Sequence, residues 1–381
     1  MNKLKVNLVY LIFINFGCKM DVHPTVNFSV DSIAFDAYEN IPVNPSNIQY
    51  IDTDSAEYFL AYNPFVRNLC LLDFRSGKTI QKIHLEKEGE HGISSFNGGS
   101  LTGNDSVWYL SNPPSIGLLN FRGEKLKSKR VEDNLKPLTY LSAPSDKMLH
   151  PRGSKIFVAQ PLFMDHHHMK KEDIQKQRLV FSYNMVTDSV EWHEVYYPKN
   201  YWDKGKKTSG FSWAERKGKL YIAPWYDHEI QIFDLDKEEV TQSKSVKSEY
   251  VNQFLYANKL PSGANEGFLL TFSHDQYSTF LYDEYRDVFY RFFLPSFNIQ
   301  DLGDEYNYRD LLISRPYLGV MVLDKDLKVI GEHILDKFQV YTSSNHFVGR
   351  NGLYLSLNNL FNPDYDEDRF RYLVLKFDMN H

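Results

Sequence analysis

One unit recurs along this chain: a short apolar run ending in Asp, Asn or Tyr, a few turn residues, then a second extended run. It reads as "NLCLLDFRSGKTIQKIHL", "IGLLNFRGEKLKSKRV", "RLVFSYNMVTDSVEWHEV", "IQIFDLDKEEVTQSKSV", "TFLYDEYRDVFYRFFL", "LGVMVLDKDLKVIGEHIL" and "RYLVLKFDMN". The anchors are Asp73, Asn120, Tyr183, Asp234, Asp283, Asp324 and Asp378. They lie about 40 to 65 residues apart, near the period of propeller blades. Each of the first six units reads as a hairpin, strand–polar turn–strand. A further strand precedes most of them: "EYFLAYN", "SVWYLSN", "KIFVAQ", "KLYIAPW", "GFLLTFS" and "GLYLSL".

The hairpin strands are nearly all apolar rather than alternating. A sheet with one wet face alternates; a sheet packed on both faces does not. A parallel α/β sheet would also give apolar strands, but it needs amphipathic helices between them. "KKEDIQKQRL" at 170–179 is the one modest helix candidate. The abundance of aromatics, with 27 Phe, 26 Tyr and 5 Trp, also favours strands. The expected fold is an all-β propeller. The chain ends before its last repeat has a fourth strand, so "TVNFSVDSIAF" at 25–35 is expected to complete that blade and close the ring. The count is seven blades, or six if the repeat near 309–338 merges with a neighbour.

The N-terminus constrains location. Lys3 and Lys5 precede an apolar stretch from Val6 to Phe16, which has the length of a signal-peptide core. Gly17–Cys18 follows, and the whole resembles a bacterial lipoprotein signal, which implies cleavage and lipidation at Cys18. The alternative is a cut by the general peptidase near Met20. Residues 1–18 are then the signal, 19–24 a tether and 25–381 a single propeller domain. "KMD" after the cysteine resembles part of a surface-export signal, and leaves the periplasmic and outer faces of the outer membrane as alternatives. Removing residues 1–18 takes away two lysines and no acid, so the net charge moves from −6 to −8. That offers no footprint for nucleic acid. Cys70, in "NLCLLDF", reads as a small buried core residue.

A lipoprotein signal followed by an irregular, aromatic-rich propeller resembles bacterial envelope propeller lipoproteins that form families of unknown function. "EKEGEHGISSFNGG" at 86–99 is similar to the G-x-G-x-x-x-F inter-blade loop of six-bladed members. The resemblance implies fold and location; it brings no catalytic residues.

Candidate sites are few. His166 and His168 in "PLFMDHHHMK" share a face on a strand, but zinc takes three or four protein ligands and no partners are identifiable. A solvated loop is the preferred reading, and no cofactor is expected. "VYYPKNYWDKGKKTSGFSW" at 195–213 concentrates Tyr201, Trp202 and Trp213, with Trp225 and Tyr226 downstream. Aromatic planes beside polar groups suit stacking on a sugar or packing on a protein. Tyr201, Trp202 and Trp213 are therefore expected on one end face, at least partly exposed, near Trp225. His274–Asp275–Tyr277, Asp227–His228–Glu229 and the Asp-rich "FNPDYDEDRF" at 361–370 read as polar loops. No nucleophile elbow or phosphate loop is present in the sequence. The expected function is an envelope-anchored module that recognises a glycan, peptide or protein through end-face loops. The rivals are a propeller enzyme acting on a glycan and a structural subunit of an outer-membrane complex. An enzyme would converge two or more titratable groups on the axial pocket; a binder would place aromatics and few charges there.

Overall fold

A computed structural model describes residues 26–37, 40–101, 105–132, 140–159, 169–256, 258–259, 261–303 and 306–379. The chain enters with β1 (Val26–Asp36) and then lays down blades in order. The first is β2 (Ile48–Asp52), β3 (Glu57–Asn63), β4 (Asn68–Asp73) and β5 (Thr79–His84). The second is β6 (Phe96–Leu101), β7 (Ser106–Ser111), β8 (Ser115–Asn120) and β9 (Lys125–Arg130). The third is β10 (His150–Arg152), β11 (Lys155–Ala159), β12 (Val180–Asn184) and β13 (Ser189–Trp192). The fourth is β14 (Phe211–Arg216), β15 (Lys219–Pro224), β16 (Glu229–Asp234) and β17 (Glu239–Ser245). The fifth is β18 (Gln276–Asp283), β19 (Val288–Leu294), β20 (Gly319–Leu323) and β21 (Val329–Ile334). The sixth holds β22 (His346–Gly349), β23 (Gly352–Ser356) and β24 (Arg369–Met379), and its outer strand is β1. Six four-stranded antiparallel sheets thus form a six-bladed propeller. The N-terminal strand closes the ring as expected, in unbroken register from Val26 opposite Met379 to Asp36 opposite Arg369.

The preferred count of seven is corrected to six, and the reason is local chemistry. The third strand of a blade turns into the fourth through an Asp or Asn whose side chain caps the turn. Asp73 Oδ1 accepts from Ser76 N–H at 2.8 Å, Asp234 Oδ1 from Lys237 N–H at 3.0 Å, and Asp324 Oδ1 from Asp326 N–H at 2.8 Å. Such caps mimic a backbone turn. Asp283 makes the same turn, accepting from Tyr285 and Arg286 N–H at 3.0 Å each. It joins the first and second strands of the fifth blade, not the third and fourth. One blade therefore shows the repeat twice, and the unit near 309–338 merges with it.

Six apolar clusters lie between successive blades, which explains why the middle strands are apolar on both faces. Every residue of β19 and of β20 is buried, and Cys70 sits in the cluster between the sixth and first blades. The outer strands, such as β9 with "KLKSKR", are mostly exposed, and their charges guard the sheet edges. The helix candidate at 170–179 forms only the four-residue α1 (Lys171–Ile174). "GFLLTFS", expected as a strand, lies in α2 (Ala264–Phe272). Phe268 and Phe272 are one turn apart, and that helical spacing lets them pack against Tyr308 of α3 (Tyr308–Ile313).

The connections sort by length. First-to-second and third-to-fourth strand turns are short and gather at one end of the ring. Second-to-third links and the links between blades gather at the other, and they carry α1, α2, α3 and the long aromatic loop. The first strands β14, β18, β22 and β2 approach one another and line the axis.

Candidate functional site

The long-loop end opens into an axial cavity of about 570 Å³. Three inter-blade loops supply most of its wall, each with a similar triplet before an inner strand: Pro45–Ser46–Asn47 before β2, Pro144–Ser145–Asp146 before β10, and Ser343–Ser344–Asn345 before β22. Tyr62, Phe96 and Tyr140 contribute aromatic surface, with the Tyr62 and Phe96 rings 4.6 Å apart.

The triplets brace one another around the axis. Asn345 Nδ2 donates to the Val43 carbonyl at 2.8 Å, and Asn47 Nδ2 to the Ala143 carbonyl at 2.8 Å. Gly98, with φ +112°, lets the second blade pass beneath that contact; a Cβ there would lie 2.2 Å from the Ala143 carbonyl oxygen. Ser212 Oγ of β14 stands 2.7 Å from both Asp146 Oδ2 and the Ser278 carbonyl, and shares its one proton between them. The relay ties the sixth, first, third, fourth and fifth blades. Loops held this way present their polar groups without having to order on binding.

Electrostatically the cavity is sparse. Asp146 is the one carboxylate lining it among the described residues, with Lys147 Nζ 3.4 Å from Oδ1. His346, 2% exposed, lies at the inner end of the cavity. Burial pushes its pKa down to about 3, so the imidazole is neutral. The wall is otherwise amide, hydroxyl, proline and tyrosine, which suits binding more than acid–base chemistry.

The model of the DUF4221 family, a domain of unknown function, matches residues 19–334. The chain belongs to the DUF4221 family. The crystal structure of a DUF4221 member from Bacteroides vulgatus superposes with a TM-score of 0.79 at 22% identity, over 94% of this chain and all of that one. A protein from Bacteroides fragilis gives a TM-score of 0.56 at 10% identity, over 92% of this chain and 95% of that one. Both likenesses show the fold. No curated protein matches the sequence. The resemblance to propellers of an unknown-function family is thereby met.

The aromatic loop of this DUF4221 chain requires a correction. Tyr201, Trp202, Trp213 and Tyr226, expected on the surface or as binding residues, are all less than 7% exposed. The loop folds onto itself between the third and fourth blades: Tyr201 Oη donates to the Thr208 carbonyl at 2.5 Å, and Trp202 Nε1 to the Lys207 carbonyl at 3.3 Å. Trp213, on inner strand β14, donates through Nε1 to the Met148 carbonyl at 2.9 Å and pins the loop that carries Asp146. Trp225 is half-buried, stacks over Gly210 and donates to Ser212 Oγ at 2.9 Å. These side chains position the cavity wall but do not line it. The triplets that do line it were missed; their recurrence just before inner strands was the available signal.

Of the weaker candidates, His166, His168 and Cys18 lie outside the described residues. Asp275 is a backbone cap that accepts from the N–H groups of Asn252, Gln253 and Ser296. His228 bonds Tyr277 Oη at 2.8 Å. Glu191, His193 and Glu238 come together with metal-ligand reach, but Lys155 Nζ already bridges the two carboxylates at 2.9 and 2.5 Å. That ammonium supplies the positive charge a metal would bring.

Proposed function

We propose that this DUF4221 chain is a recognition module of the bacterial envelope that binds a neutral glycan in the long-loop axial cavity. The lining carries the reading: amide and hydroxyl groups on braced loops, tyrosine and phenylalanine faces, and one carboxylate. Sugars present hydroxyls for the former and apolar C–H faces for the latter. A glycosidase of the usual kind needs two carboxyl groups flanking the bond it cleaves, and among the described residues this wall offers only Asp146. The test is a glycan array probed with the mature chain, followed by titration of the hits. Tyr62→Ala and Tyr140→Ala should each weaken binding by about 1 to 3 kcal/mol if their rings are anchors. Retention of peptides but no glycan would move the reading to a protein partner. Release of reducing ends from a bound glycan would move it to an enzyme.

Anchorage is the second part of the proposal. A lipid on Cys18 would hold the module at the outer membrane. Cys18→Ala should abolish acyl labelling and shift the protein from the membrane to the soluble fraction. An unlabelled wild type that stays with membranes contradicts the anchor.

A further inference from the structure

We propose that the axial channel carries a second site, at its tight-turn end, for a small organic cation with an apolar body. A cavity of about 350 Å³ opens there, adjoining the first through the shared residues Ser145 and His346. That volume lies within the range of small-molecule sites. Its wall is aromatic, formed by Tyr50, Trp213, Phe280, Tyr282, Tyr285 and Phe347. Three carboxylates edge it: Asp52 at the end of β2, Glu215 near the end of β14 and Glu284 just past β18. No lysine or arginine lines it among the described residues.

The arginines nearest the mouth are already paired. Arg350 is spent on Asp52, Arg286 on Asp283 and Arg216 on Asp287. Glu215 accepts the Gly218 N–H and feels the Arg152 guanidinium, which is itself paired with Asp236, while Glu284 is exposed. An ammonium or guanidinium at this rim would meet two carboxylates and the faces of tyrosines, both attractive to a cation. Its apolar body would fill the aromatic barrel.

The inner end points to a ligand independently. His150 Nε2 is buried and unpaired at this end, and the buried His346 imidazole shares the wall with it. An unpaired buried nitrogen is rare in folded proteins and calls for a partner. Burial pushes His150 down to about 4 and His346 to about 3, so both imidazoles are neutral, each with one donor and one acceptor. They suit an uncharged polar group on the far end of the ligand, while the charge stays at the wetter rim. The shared chemistry fits a free aralkylamine or a basic side chain of a peptide.

The test titrates the full-length protein with phenethylamine, its neutral analogue 2-phenylethanol, and a lysine-containing peptide, by calorimetry and by Trp213 fluorescence. Phenethylamine should bind at least about tenfold more tightly than the alcohol, and Glu215→Gln with Glu284→Gln should remove about that advantage without changing alcohol binding. Preference for the peptide over the amine assigns the source to a side chain; the reverse assigns it to a free amine. Binding of neither cation, equal binding of amine and alcohol, or an unchanged amine affinity in the double variant overturns the proposal. Amine binding should persist in Tyr62→Ala, so failure here and failure of the glycan reading are separate results.

Discussion

A chain lacking residues 26–36 should fail to hold its ring: it should aggregate on expression or unfold well below the full-length protein. β1 contributes an eleven-residue ladder to β24, and Ala37 N–H continues it to the Asp368 carbonyl at 2.7 Å. At about 1 kcal/mol net for each of about ten hydrogen bonds, the loss is comparable with a total stability of roughly 5 to 15 kcal/mol. Apolar burial adds to it. Val26 packs into the cluster between the fifth and sixth blades, and Phe35 into that between the sixth and first, against Phe74 at 5.5 Å. The strand thus clamps the final blade to both neighbours. Its removal also bares the edge of "RYLVLKF", a long apolar template for pairing with other chains. Thermal unfolding followed by circular dichroism, with light scattering alongside, reads both effects. A synthetic 26–36 peptide added in trans should restore part of the lost stability. A truncated protein that stays monomeric and melts within a few degrees of full length would contradict this account of closure.

The closing strand was legible because it is a local pattern with one unfilled partner: a β-rich segment at one end of the chain and a blade one strand short at the other. The middle strands were legible because burial on both faces removes alternation, as in β4 and β20. Blade count was less secure, since Asp283 uses the same capped turn as Asp234 and Asp324. The cap reports a tight turn; it does not report which two strands of a blade it joins. The helix α2 was misread because "FLLTF" is apolar enough for either period, and only the packing of Phe268 and Phe272 decides between them.

The aromatic loop was misplaced for a different reason. Tyr and Trp rich in a long loop fit an exposed platform and a loop folded into its own core equally well. What separates the two is where Tyr201 Oη and Trp202 Nε1 find acceptors, and both find them on the backbone of the same loop. The cavity wall was hidden by the opposite effect. "NPSN", "APSD" and "TSSN" look like ordinary turn sequences. They form one cavity wall because the ring brings three distant loops together and because Asn47 and Asn345 direct their amides across to neighbouring loops. A side-chain direction of that kind is fixed by tertiary placement, not by local spacing.

Replacing Arg291 with alanine should cost about 3 to 5 kcal/mol, because it leaves several buried carbonyls without their donor, at about 1 to 3 kcal/mol each, and opens a cavity beside them. Arg291 stands in "VFYRFFL", the one charged residue of β19, and is fully buried. Its guanidinium crosses to the fourth blade, where Nη2 donates to the Pro224 carbonyl at 2.9 Å and the Asp227 carbonyl at 2.6 Å. Nη1 donates to the Val246 carbonyl at 3.0 Å and the His228 carbonyl at 3.3 Å. The same group lies 3.5 Å from the centre of the Tyr277 ring. No carboxylate bonds it; carbonyl dipoles and a π face hold the charge, and burial pushes the pKa down only to about 10, so it stays protonated near neutrality. Three of the carbonyls lie at the end of β15 and in the β15–β16 turn and the fourth just past β17, so one side chain fastens two blades. Arg291→Lys should recover little, because an ammonium has no planar fork to reach carbonyls on both sides. Arg291→Met refills much of the volume but leaves the carbonyls buried and unpaired, and should stay well below wild type. Urea unfolding of the three variants reads the order: methionine and lysine above alanine, all below arginine. A methionine variant as stable as wild type would show that the site needs only volume, and would refute the role assigned to the charge.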